Sequence, residues 1–292
     1  MTLHLGADIG GTNARVALVE SSGRLVRALK APLPDRSLEA VVATVQSLVA
    51  QLGEHGPTGS TLGVGLAAML RGSLVVNAPN LGWRDVDFGT ALAHAVRLPV
   101  RLVNDLSAAA WGERLAGVAR GLDDTFTVFV GTGVGSAIIS QGRLIHGATG
   151  VAAEFGHTKV VAEGGRPCGC GEHGCLEAYV GGARLLQWMR ESGLQGTPGD
   201  LERAAAQGDA TAKSLHDTAS GYLALAIANQ VTMLNPAMVV LGGGVLMHTP
   251  GIVKHIREVI AQRSGAAARE GLRVELAELG DDSGIVGAAL LG

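Results

Sequence analysis

The 292-residue chain is short of cysteine, of basic charge and of long apolar runs, and each shortage closes a line of interpretation. Its three cysteines all lie between Cys168 and Cys175, which excludes a disulfide framework. No apolar run approaches the ~18 unbroken residues of a membrane-spanning helix. The opening segment lacks the basic flank, apolar stretch and cleavage site of a secretory signal, so a cytoplasmic location without membrane contact is expected. Net charge is −3 and the 23 Lys and Arg form no long block. A surface that tracks phosphates along nucleic acid needs a cationic excess or a concentrated patch, so no nucleic-acid partner is expected.

What the chain has in excess is glycine. Its 44 glycines are about twice the usual share of ~7%, and they cluster at Gly6–Gly11, Gly131–Gly135, Gly169–Gly174 and Gly242–Gly244. Glycine gathered in short turns after apolar runs lets backbone approach a ligand closely. With 47% hydrophobic and 17% charged residues, the rest of the chain can bury a core of one large or two moderate domains.

Periodicity predicts three opening strands, Leu3–Asp8, Ala14–Val19 and Leu25–Ala31, the last two joined by Ser21-Ser22-Gly23-Arg24. Ser37 caps an expected helix with apolar residues at Leu38, Val41, Val42, Val45, Leu48, Val49 and Leu52, stopped by Gly53. A strand at Leu62–Ala67, a helix at Gly89–Val96 and a buried strand at Val100–Val103 follow. The pattern then recurs: strand Thr125–Val130, glycine turn, strand Ser136–Ser140, and Ser140-Gln141-Gly142-Arg143-Leu144, which repeats Ser21–Leu25 almost residue for residue. Beyond it come a long helix over Ser214–Leu234, strands Ala237–Leu241 and Leu272–Leu276, and a last helix Ser283–Leu291. Duplication of strand, glycine turn, strand implies two related α/β domains. Chance repetition of one Gly-Arg-Leu turn is the alternative. The expected division is 1–105 plus the C-terminal helix at 281–292, against 106–280, which carries the cysteine loop.

A tight turn of glycines between strands exposes several backbone N–H groups that can hold phosphate oxygens. Asp8-Ile9-Gly10-Gly11-Thr12 adds a hydroxyl at Thr12 and a carboxylate at Asp8 suited to a hydrated Mg²⁺. Gly131-Thr132-Gly133 offers a second cradle. Each alone reads as an ordinary hairpin turn; as a duplicated pair they point to a nucleotide. Neither turn has the P-loop pattern or the spaced dinucleotide fingerprint. Gly242-Gly243-Gly244, after a strand and before a helix, leaves bare backbone for an adenine or ribose, although many α/β strands end in glycine.

Asn104-Asp105 falls where a buried strand ends and a helix begins, the end of the strand at which α/β sheets bind ligands. Asp105 can take the proton of an attacking hydroxyl while Asn104 supplies donor and acceptor. The competing reading makes Asp105 simply the cap of a helix over Leu106–Leu115. Asn80, Glu154 and Glu177 are polar groups in apolar or glycine-rich surroundings, suited to choosing among vicinal hydroxyls. His157, Cys168, Cys170 and Cys175 place one imidazole and three thiols in nineteen residues, the donor set of a closed, structural Zn²⁺ site. Such a site would pin the loop between Glu154 and Glu177, and His157 can reach substrate through its second nitrogen. Exposed turn cysteines are the alternative.

Together, Asp8–Thr12, Ala78-Pro79-Asn80, Asn104-Asp105, Gly131–Gly133, Glu154-Phe155-Gly156-His157, Cys168–Glu177 and Leu241–Gly244 resemble the ROK family (repressors, open reading frames and kinases) over essentially the whole chain. The ordered Glu-x-Gly-His and Cys-x-Cys-Gly-x-x-Gly-Cys-x-Glu string is its most specific part. The resemblance implies a two-domain actin- and hexokinase-like (ribonuclease H-like) α/β fold with an interdomain cleft. It also implies ATP-dependent phosphorylation of a sugar, glucose at the 6-hydroxyl first, with Asp105 as base. It assigns Asn80, Asn104, Asp105, Glu154, His157 and Glu177 to the sugar. Asp8, Gly10, Gly11, Thr12, Gly131, Thr132, Gly133, Gly242, Gly243 and Gly244 go to ATP with Mg²⁺, and assembly as a homodimer or homotetramer is expected. N-acetylglucosamine, N-acetylmannosamine, fructose, mannose and allose are alternative acceptors, polyphosphate an alternative donor, and a non-catalytic sugar sensor a further alternative. The family's repressors carry a helix-turn-helix module before the first glycine turn; with Asp8 so near the start, none is expected here. Gly65–Met69 departs from the family pattern, with Met69 in place of a small residue near the expected sugar.

Overall fold

The computed structural model describes residues 2–53 and 60–291. Strands β1 (Leu3–Ile9), β2 (Asn13–Glu20) and β3 (Leu25–Pro32) form a meander, followed by helix α1 (Leu38–Gly53) and strand β4 (Leu62–Leu66). A small antiparallel sheet comes next: β5 (Met69–Arg71), β6 (Leu74–Ala78) and β7 (Trp83–Val86). Then α2 (Phe88–Val96), β8 (Val100–Asn104) and α3 (Asp105–Ala116) complete the first half. The second half runs β9 (Thr125–Val130), β10 (Val134–Ser140), β11 (Arg143–Leu144), α4 (Glu177–Val180), α5 (Gly182–Glu191), α6 (Pro198–Ala206) and α7 (Ala210–Leu234). It ends with β12 (Met238–Gly242), α8 (Gly244–Met247), α9 (Pro250–Arg263), β13 (Arg273–Leu276) and α10 (Ser283–Leu291).

The two large sheets have the same plan. One is ordered β3-β2-β1-β4-β8 and the other β11-β10-β9-β12-β13. In each, the first strand pairs antiparallel with the second and parallel with the strand that follows it in the order. The two repeated turns also match, with Gly23 and Gly142 at φ +88° and +72°, a left-handed conformation that glycine adopts without a Cβ penalty. The duplication read from one turn therefore extends to a whole sheet.

By contacts the chain divides into one unit of Met1–Leu122, Arg143–Ala152 and Ala277–Gly292, and another of Asp123–Gly142 and Ala153–Leu276. This differs from the expected boundary at Asp105, because α3 packs on α10 within the first unit. The approach is backbone to backbone: a methyl at Gly287 would collide with the Ala108 carbonyl, and one at Gly112 with the Ser283 carbonyl. A methyl at Gly63 would likewise strike the Ala288 carbonyl, so small residues let α10 lie directly on β4. The first unit's main core gathers Leu5, Val16, Leu48, Leu62, Leu66 and Phe88. The second gathers Phe126, Val128, Leu223, Ile227, Leu241 and Ile256.

Helix starts follow their caps. Ser37 Oγ accepts from Ala40 N at 3.3 Å, as the sequence suggests. The long helix begins at Ala210 rather than Ser214 because Asp209 caps it, its carboxylate accepting from Ala212 N at 2.8 Å. Among the described residues no helix is long and apolar enough to cross a membrane.

Candidate functional site

In the first unit, β1, β4 and β8 run parallel with Ile9, Leu66 and Asn104 in register, so their carboxyl ends share one edge of the sheet. The Gly10–Thr12 turn leaves that edge from β1, and Asp105 leaves it from β8 as the first residue of α3. The cap of α3 is Asn104, not Asp105. Asn104 Oδ1 accepts from Leu106 N at 3.0 Å and Ser107 N at 3.2 Å, and its amide nitrogen donates to the Ala68 carbonyl at 3.4 Å. Leu106 N also lies 2.9 Å from Asp105 Oδ1. The N-cap position is thus filled by Asn104, with Asp105 the first helical residue.

Asn80 belongs to the same neighbourhood. It sits in a turn closed by Leu81 N to Ala78 O at 3.0 Å and Gly82 N to Pro79 O at 3.2 Å. A Cβ at Gly11 would stand 2.9 Å from the Asn80 carbonyl, so glycine is required where the two turns meet. Arg36 Nε donates to the Gly11 carbonyl at 3.0 Å, and the Arg36 carbonyl accepts from Trp83 Nε1 at 2.6 Å. Arg36 thereby braces the turn, a role no motif announced. Burial pushes the Asp8 carboxyl above its ordinary value, against the pull of Arg15 and Lys30. Arg15, on β2, is Asp8's register partner and is itself held by Asp282 at 2.6 Å. Only the strand register reveals that pairing.

In the second unit the same edge is populated by glycine turns. β9 and β12 are parallel with Phe129 opposite Gly242. The turn after β9 closes by Gly131 N to Gly133 O at 3.0 Å, and nothing lies within 4 Å of a Cβ placed on Gly131. The triple glycine after β12 divides by cause. A Cβ on Gly242 would press the Phe129 ring at 2.7 Å, and Gly243, at φ +86°, abuts the Val130 backbone. Packing against β9 explains those two; only Gly244 faces open space.

Glu154 and His157 bracket a single turn of 3-10 helix, Phe155–His157. Phe155 anchors it edge-on to Phe126 with ring centroids 5.3 Å apart, and Gly156 fits against the Val134 carbonyl. His157 has two orientated nitrogens: Nδ1 lies 3.6 Å from Cys168 Sγ, and Nε2 lies 3.8 Å from Glu154 Oε2. The donor atoms of His157, Cys168, Cys170 and Cys175 all fall within 4.8 Å of one another. Zn–S bonds of ~2.3 Å and Zn–N bonds of ~2.1 Å put tetrahedral donor edges at about 3.6–3.8 Å. The Cys170–Cys175 sulfur separation of 3.8 Å and the His157–Cys168 separation match that scale. Burial pushes the Cys168 thiol up to about 12, so without a cation it would stay protonated. A divalent ion reverses that preference, and the four donors fit Zn²⁺. Lys159 Nζ stands 3.3 Å from Cys175 Sγ, placing a cation beside the sulfur; the motif reading missed it.

Glu177 opens α4 two residues after Cys175. Its Oε2 accepts from Val134 N at 2.9 Å and its Oε1 lies 3.8 Å from Cys168 Sγ. In this structure both oxygens face protein groups of the metal cluster and the glycine turn.

A duplicated actin- and hexokinase-like sheet, with glycine turns at its strand ends and a Cys₃His knuckle, defines a class, and comparison with known proteins names it. The chain belongs to the ROK family, whose profile matches residues 4–292. It is 31% identical to a glucokinase from Halalkalibacterium halodurans, covering 99% of this chain and 94% of that protein. It is 30% identical to an N-acetyl-D-glucosamine kinase from Escherichia coli O1:K1 / APEC, covering 99% of each. Among solved structures, a ROK family glucokinase from Streptomyces griseus in complex with glucose and AMPPNP superimposes with a TM-score of 0.81, at 31% identity and 99% of both chains.

Proposed function

We propose that this protein is an ATP-dependent sugar kinase that phosphorylates glucose at its 6-hydroxyl, with Asp105 as the general base. One observation carries the reading: Asp105 stands on the sheet edge that also bears the Gly10–Thr12 turn, while Asn104 takes over the helix cap. A carboxylate at a strand end is suited to receive the hydroxyl proton as the oxygen bonds to the γ-phosphorus and ADP departs. Phosphoryl transfer is mostly positioning and charge stabilisation. The Gly10-Gly11-Thr12 and Gly131-Thr132-Gly133 turns, with the hydroxyls of Thr12 and Thr132, are assigned to the phosphates. Asp8 is assigned to the Mg²⁺ that travels with ATP and neutralises developing charge. Asn80, Asn104, Glu154, His157 and Glu177 are assigned to the sugar hydroxyls. Zn²⁺, held by His157, Cys168, Cys170 and Cys175, is structural: all four positions are filled by protein donors, which leaves none for substrate.

The likeness to a glucokinase bound to glucose and AMPPNP supports both substrates. The N-acetylglucosamine kinase relative, at almost the same identity, supports an amino sugar as the second reading. Met69, 36% exposed on β5 next to the Ala68 carbonyl that Asn104 engages, is the residue whose bulk would separate the two. ADP release measured over a panel of hexoses and N-acetylhexosamines tests the proposal. Glucose giving the highest kcat/KM is expected. Preference for an N-acetyl sugar transfers the assignment to the second reading, and tight sugar binding with no ADP release from any sugar would make the protein a sensor.

A further inference from the structure

The segment that follows Cys175, one of the four metal donors, is joined to the Gly131–Val134 turn by three hydrogen bonds. Three backbone groups of the turn are engaged, all by residues just after Cys175. Val134 N donates to Glu177 Oε2 at 2.9 Å, Gly182 N donates to the Gly131 carbonyl at 2.8 Å, and Ala183 N donates to the Thr132 carbonyl at 3.0 Å. Glu177 is placed at the junction, with its other oxygen 3.8 Å from Cys168 Sγ. Its carboxylate also fills the space where a Cβ on Gly133 would stand. Cys175, Leu176 and Tyr179 are buried, so this segment has little freedom to shift alone.

We propose that Glu177 is a positioning residue that couples metal occupancy to the nucleotide turn, so that loading His157, Cys168, Cys170 and Cys175 presets the 131–134 backbone for phosphate. The inference rests on the assignment of that turn to ATP. The knuckle fixes Cys168 and Cys175, and Glu177, two residues beyond Cys175, holds Val134 N–H in one orientation. A turn so held meets an anion without reorganising, which is where preorganised donors gain over flexible ones. A charge-assisted hydrogen bond between a carboxylate and a backbone N–H is about twice as strong as a neutral one, which makes Glu177 an effective clamp.

Two readouts on the full-length protein, taken without sugar, separate this role from sugar binding. The first is amide hydrogen exchange of the segment containing Val134, which needs neither nucleotide nor activity. The second is the dissociation constant for ATP with Mg²⁺. Stripping zinc with a chelator, or Glu177→Ala, is expected to speed exchange of Val134 and to weaken ATP by roughly tenfold or more, the usual scale for losing a group that supports a metal site. Glu177→Gln keeps an oxygen acceptor for Val134 N–H and is expected to recover most of the protection. Restoring zinc is expected to rescue the stripped wild type and not Glu177→Ala. Unchanged exchange at Val134 in the stripped protein overturns the coupling, whatever Glu177→Ala does. Faster exchange with no ATP binding even by the zinc-loaded wild type would retain the coupling and sink the nucleotide assignment instead. A melting temperature recorded for each variant separates a local effect from unfolding.

Discussion

Asn104 and Asp105 illustrate how two adjacent residues divide labour. Both types cap helices, and the sequence locates the strand end without saying which one does so; the hydrogen bonds from Leu106 N and Ser107 N assign the cap to Asn104. Asp105→Asn is therefore expected to leave the fold and glucose affinity intact while lowering kcat by about 10²–10⁴, the range general-base catalysis supplies. Steady-state kinetics beside calorimetric glucose binding checks it, and a kcat within a few-fold of wild type would remove Asp105 from the chemistry. Asp8 makes a second residue-scale prediction. Its carboxyl is raised by burial, so its charge opposes folding at neutral pH. Because the folded-state value lies above the unfolded one, wild type regains stability as pH falls and Asp8 protonates. In nucleotide-free protein, Asp8→Asn should melt higher than wild type at pH 7, the gap narrowing as pH falls through the raised folded-state value and gone below the ordinary carboxylate value of ~3.9. A gap that widens in acid would contradict this. The same variant is expected to lose affinity for Mg²⁺ with ATP.

Local chemistry made most elements legible. Thr125–Val130 and Ser283–Leu291 coincide with the expected ranges, and α1 follows its Ser37 cap and apolar spacing. The small β5–β7 sheet was not legible, because strands of three to five residues separated by turns carry too little alternation to register. Helices α5 and α6 were also missed; α6 carries a Thr197–Asp200 capping box that could have signalled it. The cysteine knuckle was readable as a donor set, since residue type and spacing suffice for that. The links from Glu177 to Val134 and from Lys159 to Cys175 were not, because they depend on tertiary approach. At this scale the metal account predicts about one zinc per chain and a thiol reagent that reacts slowly until chelator is added. Three thiols should then become available. Three freely reactive thiols in carefully purified protein, with no zinc by atomic spectroscopy, would refute the site.

Across the chain, one sheet plan is used twice and the last helix returns to the first unit. That return is fixed by a buried carboxyl group that no motif marks. Glu113 of α3 is fully buried and accepts from Val118 N at 3.1 Å, Glu278 N at 3.1 Å and Leu279 N at 2.9 Å. It thus ties the end of α3 to the segment leading into α10. Glu113→Ala would leave three backbone N–H groups without their acceptor, and a loss of at least about 1–3 kcal/mol, the cost of an unsatisfied buried donor, is expected. Glu113→Gln, which keeps one acceptor oxygen, should cost less. Chemical denaturation of both variants checks the order. Glycine at position 63 has a similar long-range purpose, and Gly63→Ala should cost on the order of 1–3 kcal/mol by pushing α10 off β4.

We propose a transfer of phosphate from ATP to the 6-hydroxyl of glucose that depends on Asp105. Phosphorus NMR of the reaction with glucose, ATP and Mg²⁺ tests it most directly, because a phosphate on a methylene oxygen couples to two protons. The account predicts a growing phosphomonoester triplet with matching loss of the γ-phosphate signal for wild type, and almost none for Asp105→Asn. No monoester from wild type, a doublet from a ring hydroxyl, or equal signal from Asp105→Asn would contradict it.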